Sequence, residues 1–334
     1  MGFLYDNFIS GFFSTALRWI HDALTGNYVI AILLVALLLR LVLLPLDVKQ
    51  KRQMRKMTAM QERVDKIKER YANNKEKQQK KISELYKQEG VSPFSSCLPL
   101  LFQFVFLLAF FGAVRSLSNH ETVAMVAQAA KEGTEVHLPS FLWIKNIWQP
   151  DALSLIEYTP NVLPSAADFQ NIIAGAPALK EMLPQGFDYA KVVAPTISKY
   201  MAGGAQGFFE QIGVVFKQSN GLFLLPVLAG ASAYFQGIYQ IKSGMVQQQG
   251  KIMKYGLPLF SVYICAVTGT AFAIYWTFTN VFSIVQQLAL NAYFRREEEN
   301  GGEGGGKEKK FSLAFWKRKK EKDVQEPGSS KEDT

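Results

Sequence analysis

Long apolar segments alternate with strongly charged segments along the chain. Residues 28–46 contain one charged side chain, residues 93–117 contain one, and residues 222–241 contain none. An apolar helix of about 20 residues can cross the hydrocarbon core of a bilayer. We therefore predict that these three segments are the membrane-spanning helices TM1, TM2 and TM3.

Residues 255–294 contain no charged side chain and are too long for a single span. As one helix they would extend about 60 Å, twice the thickness of the hydrocarbon core. We predict a turn at Val267-Thr268-Gly269-Thr270, which gives TM4 at residues 255–268 and TM5 at residues 270–294. The predicted fold class is an all-α membrane protein with five transmembrane helices, a cytoplasmic helical hairpin and an outer interfacial amphipathic helix.

Lysine and arginine are distributed unevenly between the predicted loops. Residues 47–92 contain 14 basic and seven acidic side chains, whereas residues 118–221 contain six basic and nine acidic ones. Basic residues favour the cytoplasmic side of a membrane. We therefore predict that residues 47–92, the link 242–254 and the tail 295–334 are cytoplasmic, and that residues 118–221 lie outside. The predicted protein is multi-pass in the cell (plasma) membrane, with an outer N-terminus and a cytoplasmic C-terminus.

Residues 1–26 precede TM1 and carry apolar side chains, such as Phe8 and Phe12, at helical spacing. Polar residues, including Ser10 and Arg18, fall on another face. The pattern predicts an amphipathic helix lying on the outer membrane interface. A packed core helix would show the same periodicity, so both interpretations stay open.

The segment 47–92 is predicted to form two charged helices, joined at Asn73-Asn74 and paired as an antiparallel hairpin. Its basic face either is simply solvated or contacts anionic lipid, nucleic acid and client proteins. The tail 295–334 combines a flexible glycine-rich stretch with a basic cluster, and the same alternatives apply to it. The candidate client or ribosome contacts in both segments are Lys49, Lys51, Arg52, Arg55, Lys56, Lys317, Arg318, Lys319 and Lys320.

Arg40 is a charged residue inside TM1, seven residues before Asp47 and about 10 Å from the predicted cytoplasmic edge. A charge at mid-helix costs about 2.5–3.5 kcal/mol on insertion scales, and snorkelling to the headgroups is one way to reduce that cost. The predicted spans contain amides and hydroxyls but no Asp or Glu. Together these features favour a hydrated cavity that attracts a mobile anion. The candidate groove residues are Arg40, Gln103, Gln236, Tyr239, Trp276, Asn280 and Gln286.

Sequence signatures of catalysis and metal binding are missing. The predicted spans contain no paired carboxylates, nucleophile elbow or serine–lysine dyad, and the three histidines lack metal-ligand spacing. The glycine-rich residues 301–307 resemble a phosphate-binding loop, but no Ser or Thr follows and no strand precedes them. We therefore expect no enzyme activity, no catalytic residue, no cofactor and no metal.

A series of short sequence patterns follows a fixed order between residues 39 and 287. They are Arg40-Leu41-Val42-Leu43-Leu44-Pro45-Leu46 with Lys49-Gln50 and Lys56-Met57, Cys97-Leu98-Pro99-Leu100-Leu101-Phe102-Gln103, Phe141-Leu142-Trp143-Ile144 with Pro150-Asp151, Met253-Lys254-Tyr255 with Pro258, and Tyr275-Trp276 with Asn280 and Gln286. Together they resemble the bacterial YidC-type membrane protein insertases in their five-span core form.

This resemblance implies a five-helix core with a hydrophilic groove that is open to the cytoplasm and to lipid and closed outside. Arg40 matches the groove arginine of the family. Such proteins insert membrane proteins, alone or beside the Sec translocon, without hydrolysing nucleotide. Nascent membrane proteins are the implied clients, and the ribosome, the Sec translocon and anionic lipids are candidate partners. The alternative functions are a small-anion transporter or channel that uses Arg40, and a non-catalytic scaffold.

The outer segment departs from this resemblance. Residues 118–221 are longer than the outer loop expected for the five-span form, and residues 161–221 match no pattern that we can name. Composition predicts helices at Ala166–Ile173 and Ala190–Met201. Docking on the outer face and binding of a partner are both open functions for this segment.

Overall fold

The structure, a computed structural model, divides into two compact units, Met1–Ser283 and Ile284–Thr334. It describes residues 8–90, 98–153, 160–201, 208–242 and 252–299, and only the backbone of residues 98–104, 208, 241–242, 252–253 and 297–299. The helix packing and the candidate site belong to the first unit.

The regular elements of the described residues are all helical, as the sequence predicted. They are α1 (Phe8–Ile20), α2 (Tyr28–Arg70), α3 (Lys75–Gln88), α4 (Leu98–Glu132), α5 (Ala166–Gly175), α6 (Pro177–Lys180), α7 (Tyr189–Tyr200), α8 (Phe208–Gln218), α9 (Leu224–Lys242), α10 (Leu257–Val267) and α11 (Thr270–Glu299), with π-helical turns at His21–Thr25 and Ile252–Gly256. Among the described residues, α2 is the one helix with an apolar window long enough to cross a membrane, and Lys254–Val267 is a shorter apolar segment.

Helix α2 continues without a break beyond residue 46, where the sequence predicted that TM1 ends. Its 43 residues correspond to about 65 Å. The helix begins where the side chain of Asn27 accepts hydrogen bonds from the N–H groups of Val29 and Ile30, at 2.8 and 3.4 Å. The charged residues after Asp47 are good helix formers. The change from apolar to charged side chains therefore does not interrupt the backbone.

Helix α3 packs back along the end of α2. The side chain of Asn74 caps α3 by accepting a hydrogen bond from the N–H of Lys77 at 2.9 Å. Gln78 Nε2 donates to the carbonyl oxygen of Lys68 at 2.8 Å. Nearer the far end of α3, Arg63 Nη1 lies 2.5 Å from Glu89 Oε1. These contacts make the two charged helices run in opposite directions.

A buried apolar core joins α1, α2, α4, α9, α10 and α11. The rings of Phe110 and Tyr275 stack with their centroids 3.7 Å apart, and Phe13 meets Phe110 edge-on at 6.0 Å. Helix α1 buries the face that carries Phe13, while Phe8 and Phe12 are 90% and 62% exposed. Helix α1 therefore has one face packed in the core and a second, exposed apolar face.

Helix α4 extends to Glu132, fifteen residues past the predicted end of TM2 at residue 117. Its last turns form a second buried cluster with α5 and α7. The sequence predicted helices at the positions of both α5 and α7. In this cluster the rings of Phe169 and Tyr189 stack at 4.2 Å. The N–H of Val136 donates to Thr196 Oγ1 at 2.8 Å. Part of the segment that matched no known pattern therefore packs on the end of α4.

Candidate functional site

A cavity of about 90 Å³ lies beside Arg40, and we call it the Arg40 cavity. Side chains from one face of α2 line one side of it, and side chains from α4 and α11 line the rest. Because one water molecule occupies about 30 Å³ of liquid, the cavity has room for a few waters or for one carboxylate group. Its lining residues are Ala36, Leu39, Arg40, Leu43, Leu46, Asp47, Gln50, Phe106, Leu107, Tyr275, Trp276 and Thr279.

The guanidinium of Arg40 is directed between helices of the first unit. Its Nη2 atom donates a hydrogen bond to the carbonyl oxygen of Thr279, on α11, at 3.3 Å. This is the one hydrogen bond that Arg40 makes within the described part of the chain. A guanidinium carries five N–H donors. Most of these donors therefore remain able to bind water or an anion in the cavity.

Asp47 places a carboxylate in the lining of the same cavity. It follows Arg40 by seven residues on α2, which is two helical turns and a rise of about 10 Å. Asp47 lies just outside TM1, so it was not among the counter-charges expected inside the predicted spans. The seven-residue spacing, which puts both charges on one helix face, was the signal that could have found it.

The structure brings two of the predicted groove residues together at the cavity, Arg40 and Trp276. The indole Nε1 of Trp276 is buried and has no hydrogen-bond partner among the described residues. Asn280 is also buried, but its Nδ2 donates to Ser232 Oγ at 3.3 Å. The Asn280 amide therefore links α11 to α9 and does not line the cavity.

The structure does not bring the remaining predicted groove residues together with Arg40 and Trp276. Gln236 and Tyr239 are half-buried on α9 and do not belong to the cavity lining. The side chain of Gln103 falls outside the described residues, although its backbone belongs to α4. Gln286 is half-buried on the part of α11 that belongs to the second unit.

A second arrangement of polar groups holds the starts of α9 and α11. We call residues 146–151 the 146–151 junction. The carboxylate of Asp151 accepts hydrogen bonds from the N–H groups of Phe223 and Leu225, at 2.8 and 2.7 Å. The N–H of Thr270 donates to the carbonyl oxygen of Gln149 at 2.9 Å. The first N–H groups of a helix have no partner within that helix, so the junction supplies the missing acceptors.

Asn220 ties this junction to the segment that leads from α8 into α9. Its Nδ2 donates to the carbonyl oxygens of Asn146, Gln149 and Pro150 at 2.9 to 3.1 Å, and its Oδ1 accepts from the N–H of Asn146 at 2.8 Å. The side chains of Asn146, Asp151 and Asn220 are fully buried. Such a network is stabilising because nearly every buried polar group in it finds a partner.

Two further helices reach the same junction. The ring of Tyr28, at the start of α2, meets Trp148 edge-on with centroids 5.1 Å apart. Ser118 Oγ, in the middle of α4, donates to the carbonyl oxygen of Trp148 at 3.4 Å. The starts of α2, α9 and α11 and the middle of α4 therefore all contact the 146–151 junction. The space between these helix ends is filled by the side chains and backbone of the junction. Arg40 lies twelve residues along α2 from Tyr28, or about 18 Å.

Comparison with known proteins identifies the family. A family model described as 60Kd inner membrane protein matches residues 19–298. A membrane protein insertase YidC of Clostridium perfringens is 40% identical over 126 residues, which is 38% of this chain and 46% of the relative. The chain belongs to the YidC family of membrane protein insertases.

Two other YidC insertases show how far the similarity extends. The protein of Fusobacterium nucleatum is 42% identical over 95 residues, covering 28% of this chain and 46% of the relative. That of Leptospira interrogans is 26% identical over 275 residues, covering 82% of this chain and 32% of the relative. The matched region thus spans about a third to a half of the relatives' own length.

The predicted contact residues of α2 differ in exposure within this YidC-family chain. Lys49, Arg52 and Lys56 are exposed, and Arg55 is half-buried. Lys51, in contrast, is 5% exposed. Burial, together with the positive charge of Arg55, lowers the pKa of Lys51 to about 8. Lys51 is therefore part of the packed structure and does not share the exposed surface of the other basic residues.

Metal binding and the basic tail are the last two features that the sequence raised. Within the described ranges, no group of three or more His, Cys, Asp or Glu side chains could hold a metal ion. The four basic candidates of the tail lie outside the described residues; they are Lys317, Arg318, Lys319 and Lys320.

Proposed function

We propose that this chain is a membrane protein insertase and chaperone of the plasma membrane, with clients that are nascent membrane proteins. Membership of the YidC family supports this function. The proposed architecture has five transmembrane helices, a cytoplasmic hairpin formed by residues 47–92, an outer N-terminus and a cytoplasmic C-terminus. We further propose that the chain works without an enzymatic step and without nucleotide hydrolysis.

The geometry of the 146–151 junction supports the proposed topology. The predicted outer ends of TM1, TM2, TM3 and TM5 are residues 28, 117, 222 and 270. Contacts to the junction come from Tyr28, Ser118, Phe223 and Thr270, so all four ends meet at one level. A bilayer surface at that level would leave the cluster of α4, α5 and α7 outside. It would also close the bundle to water from that side.

The Arg40 cavity is the single observation that carries the proposed mechanism. A hydrophilic segment of a client, often acidic, would enter from the cytoplasm and bring a carboxylate toward the N–H donors of Arg40. An ionic hydrogen bond in this partly desolvated setting is stronger than the same bond in water. The cavity would thereby lower the cost of moving the segment into the membrane.

Release of the client into lipid would follow along the apolar flank of α2. Leu38, Leu41 and Val42 are 54%, 51% and 74% exposed there. Transfer of an apolar span of about 20 residues into lipid supplies the main driving force. The membrane potential adds about 2.3 kcal/mol per charge per 100 mV for acidic segments that move outward.

The basic surfaces on the cytoplasmic side would make the first contacts with partners. Lys49, Arg52 and Lys56 are exposed on α2 after the cavity-lining Asp47 and can attract anionic lipid or an acidic client segment. For the basic tail we propose contact with the ribosome, and the Sec translocon is a further candidate partner. A chain truncated after Arg296 should lose co-sedimentation with ribosomes at low salt. Unchanged co-sedimentation would contradict this contact.

Reconstitution tests the main proposal. Purified protein is placed in liposomes of phosphatidylethanolamine and phosphatidylglycerol and is supplied with a single-span client, without ATP. Protease protection of the client's translocated segment supports an insertase. Anion flux without protection of the client supports the alternative, a small-anion transporter or channel that uses Arg40. Neither flux nor insertion would leave only a scaffold.

A further inference from the structure

Helix α8 carries an exposed apolar stripe that the function proposed above does not use. The α8 stripe consists of Phe209, Ile212 and Phe216, which are 83%, 36% and 49% exposed. Their spacing of three and four residues puts them on one side of the helix. Glu210, Gln211 and Lys217 lie on the other side and are exposed as well. The helix is thus amphipathic, and the side chains on its apolar side are largely exposed.

The C-terminal end of α8 is held in a fixed position. Lys145 Nζ donates to the carbonyl oxygens of Phe216 and Lys217, each at 2.9 Å, and also to that of Ser219. These carbonyls would otherwise lack partners at the helix end. The next residue, Asn220, belongs to the buried network of the 146–151 junction. The orientation of α8 relative to this junction is therefore set by specific contacts.

The exposed apolar surface continues from α8 onto α9. After the buried Asn220, four apolar side chains just before and on the first turns of α9 are 39–50% exposed; they are Leu222, Leu224, Val227 and Leu228. Since α9 is the apolar helix proposed as TM3, these side chains face lipid. The α8 stripe lies just before them in the chain, at the level where the proposed span begins.

We propose that α8 lies in the outer membrane interface, with Phe209, Ile212 and Phe216 in the boundary between headgroups and acyl chains. The polar side of the helix then faces water. The occupant of the stripe is the lipid surface, because the exposed apolar area is continuous with the lipid-facing start of α9. This proposal rests on the topology given under the proposed function. In this arrangement α8 anchors the 146–151 junction at the outer surface of the bilayer.

Spin labelling of the full-length protein tests the proposal. Cys97 and Cys265 are replaced by alanine, and single cysteines are introduced in separate proteins as I212C and Q211C. Each protein is labelled with a nitroxide and reconstituted in phosphatidylethanolamine and phosphatidylglycerol vesicles. Collisions with oxygen, which concentrates in lipid, are compared with collisions with a water-soluble nickel chelate. Insertion of a client in the same vesicles verifies that each labelled protein is folded.

The expected ratio of oxygen to nickel collisions is several-fold higher at position 212 than at its neighbour 211. Equal ratios, both typical of water, would overturn the proposal. Protection of position 212 from both reagents would also overturn it, because it would mean that a second copy or another protein covers the stripe.

A label at Val42, which is 74% exposed on α2, separates this proposal from the proposed topology. If position 42 reports lipid and position 212 reports water, the five-span topology stands and the assignment of α8 is wrong. If position 42 also reports water, TM1 does not face lipid, and both proposals fail together.

Discussion

The carboxylate of Asp151 caps the start of α9, where its Oδ2 atom accepts a hydrogen bond of 2.7 Å from the backbone N–H of Leu225. Its Oδ1 atom accepts a second one, of 2.8 Å, from the N–H of Phe223. The carboxylate also lies near the positive end of the helix dipole, which favours a negative charge. Because Asp151 is fully buried, water cannot replace these two bonds if they are lost.

Replacement of Asp151 by asparagine should therefore lower the free energy of unfolding by about 2–3 kcal/mol. The amide keeps the size of the side chain but has one oxygen, and its NH₂ group would face a backbone N–H. Thermal unfolding in detergent micelles measures the effect. Asp188→Asn is the matched control, because Asp188 caps α7 from an exposed position and asparagine caps helices equally well. If both substitutions lowered the free energy of unfolding equally, the buried cap at Asp151 would be no stronger than the exposed cap at Asp188.

Gly221 should be intolerant of alanine for a reason that involves the same carboxylate. A Cβ atom at Gly221 would lie 2.0 Å from Asp151 Oδ1 and 2.6 Å from Ile144 Cδ1. We expect a loss of about 3 kcal/mol in the free energy of unfolding, at the upper end of overpacking effects. Gly213→Ala, inside α8, meets no atom within 4 Å and should stabilise the protein by up to about 1 kcal/mol. Opposite signs in the same unfolding assay are the expected result.

The local features of the fold could be read from the sequence, and the long-range ones could not. Residues 255–294 are too long for one span, which predicts a turn at residues 267–270, and the helix break between α10 and α11 coincides with it. At this break Gly269 comes so close to Trp148 that a Cβ atom would lie 2.9 Å from its carbonyl oxygen. Gly269 thus contacts a backbone carbonyl about 120 residues away in the sequence, and no side-chain pattern predicts such a contact.

The candidate site divides in the same way. Arg40 stood out because a charge in an apolar segment is costly, and such a charge can be recognised from the sequence alone. Its neighbour Thr279 contributes a carbonyl oxygen, which every residue has, so the sequence could not single it out. Asn280 carried the same polar signal as Trp276, yet it bonds to Ser232 outside the cavity. Composition indicates that a polar group needs a partner, and only packing decides which one.

Arg40→Ala should impair the insertion of clients whose translocated segment is acidic. The loss of an ionic hydrogen bond, worth about 1.5–3 kcal/mol, predicts a reduction of about tenfold or more. Arg40→Lys should keep part of the activity, since it retains the charge without the planar fork of donors. Rates of protease-protected insertion in proteoliposomes provide the measurement. Arg115→Ala, exposed on α4 and away from the cavity, is the control. Normal insertion by Arg40→Ala would mean that Arg40 does not receive the client.

Asp47→Asn should have the opposite effect on the same clients. Its carboxylate lines the cavity that holds Arg40 and would repel an acidic segment at the entrance. Two charges about 10 Å apart interact by about 1–2 kcal/mol at an effective dielectric constant of 20. We therefore expect acidic clients to insert a few-fold faster, with clients that lack acidic residues unchanged. Asp47→Glu keeps the charge and should behave like the natural protein. A slower rate with Asp47→Asn would instead make Asp47 a structural partner.

The buried Lys51 should make stability depend on pH in the alkaline range. Its pKa is about 8 in the folded protein and 10.5 when unperturbed, so between these values the unfolded state binds more protons than the folded state. The free energy of unfolding must then rise with pH. Below about pH 8 the full cost of burying the charge is present, and above about 10.5 it is gone. Allowing for screening by solvent, the free energy of unfolding should rise by about 1–2 kcal/mol across this range.

Comparison with Lys51→Met isolates this contribution from the other lysines and tyrosines that titrate in the same range. Any pH-independent contact that methionine removes shifts the free energy of unfolding by a constant, whereas the titration of Lys51 changes its slope. The difference between the natural protein and Lys51→Met should therefore vary between about pH 8 and 10.5, with the natural protein gaining relative stability as pH rises. Denaturant titrations in detergent across this range give both curves. Parallel curves would mean that Lys51 titrates like an exposed lysine and is not buried as the structure has it.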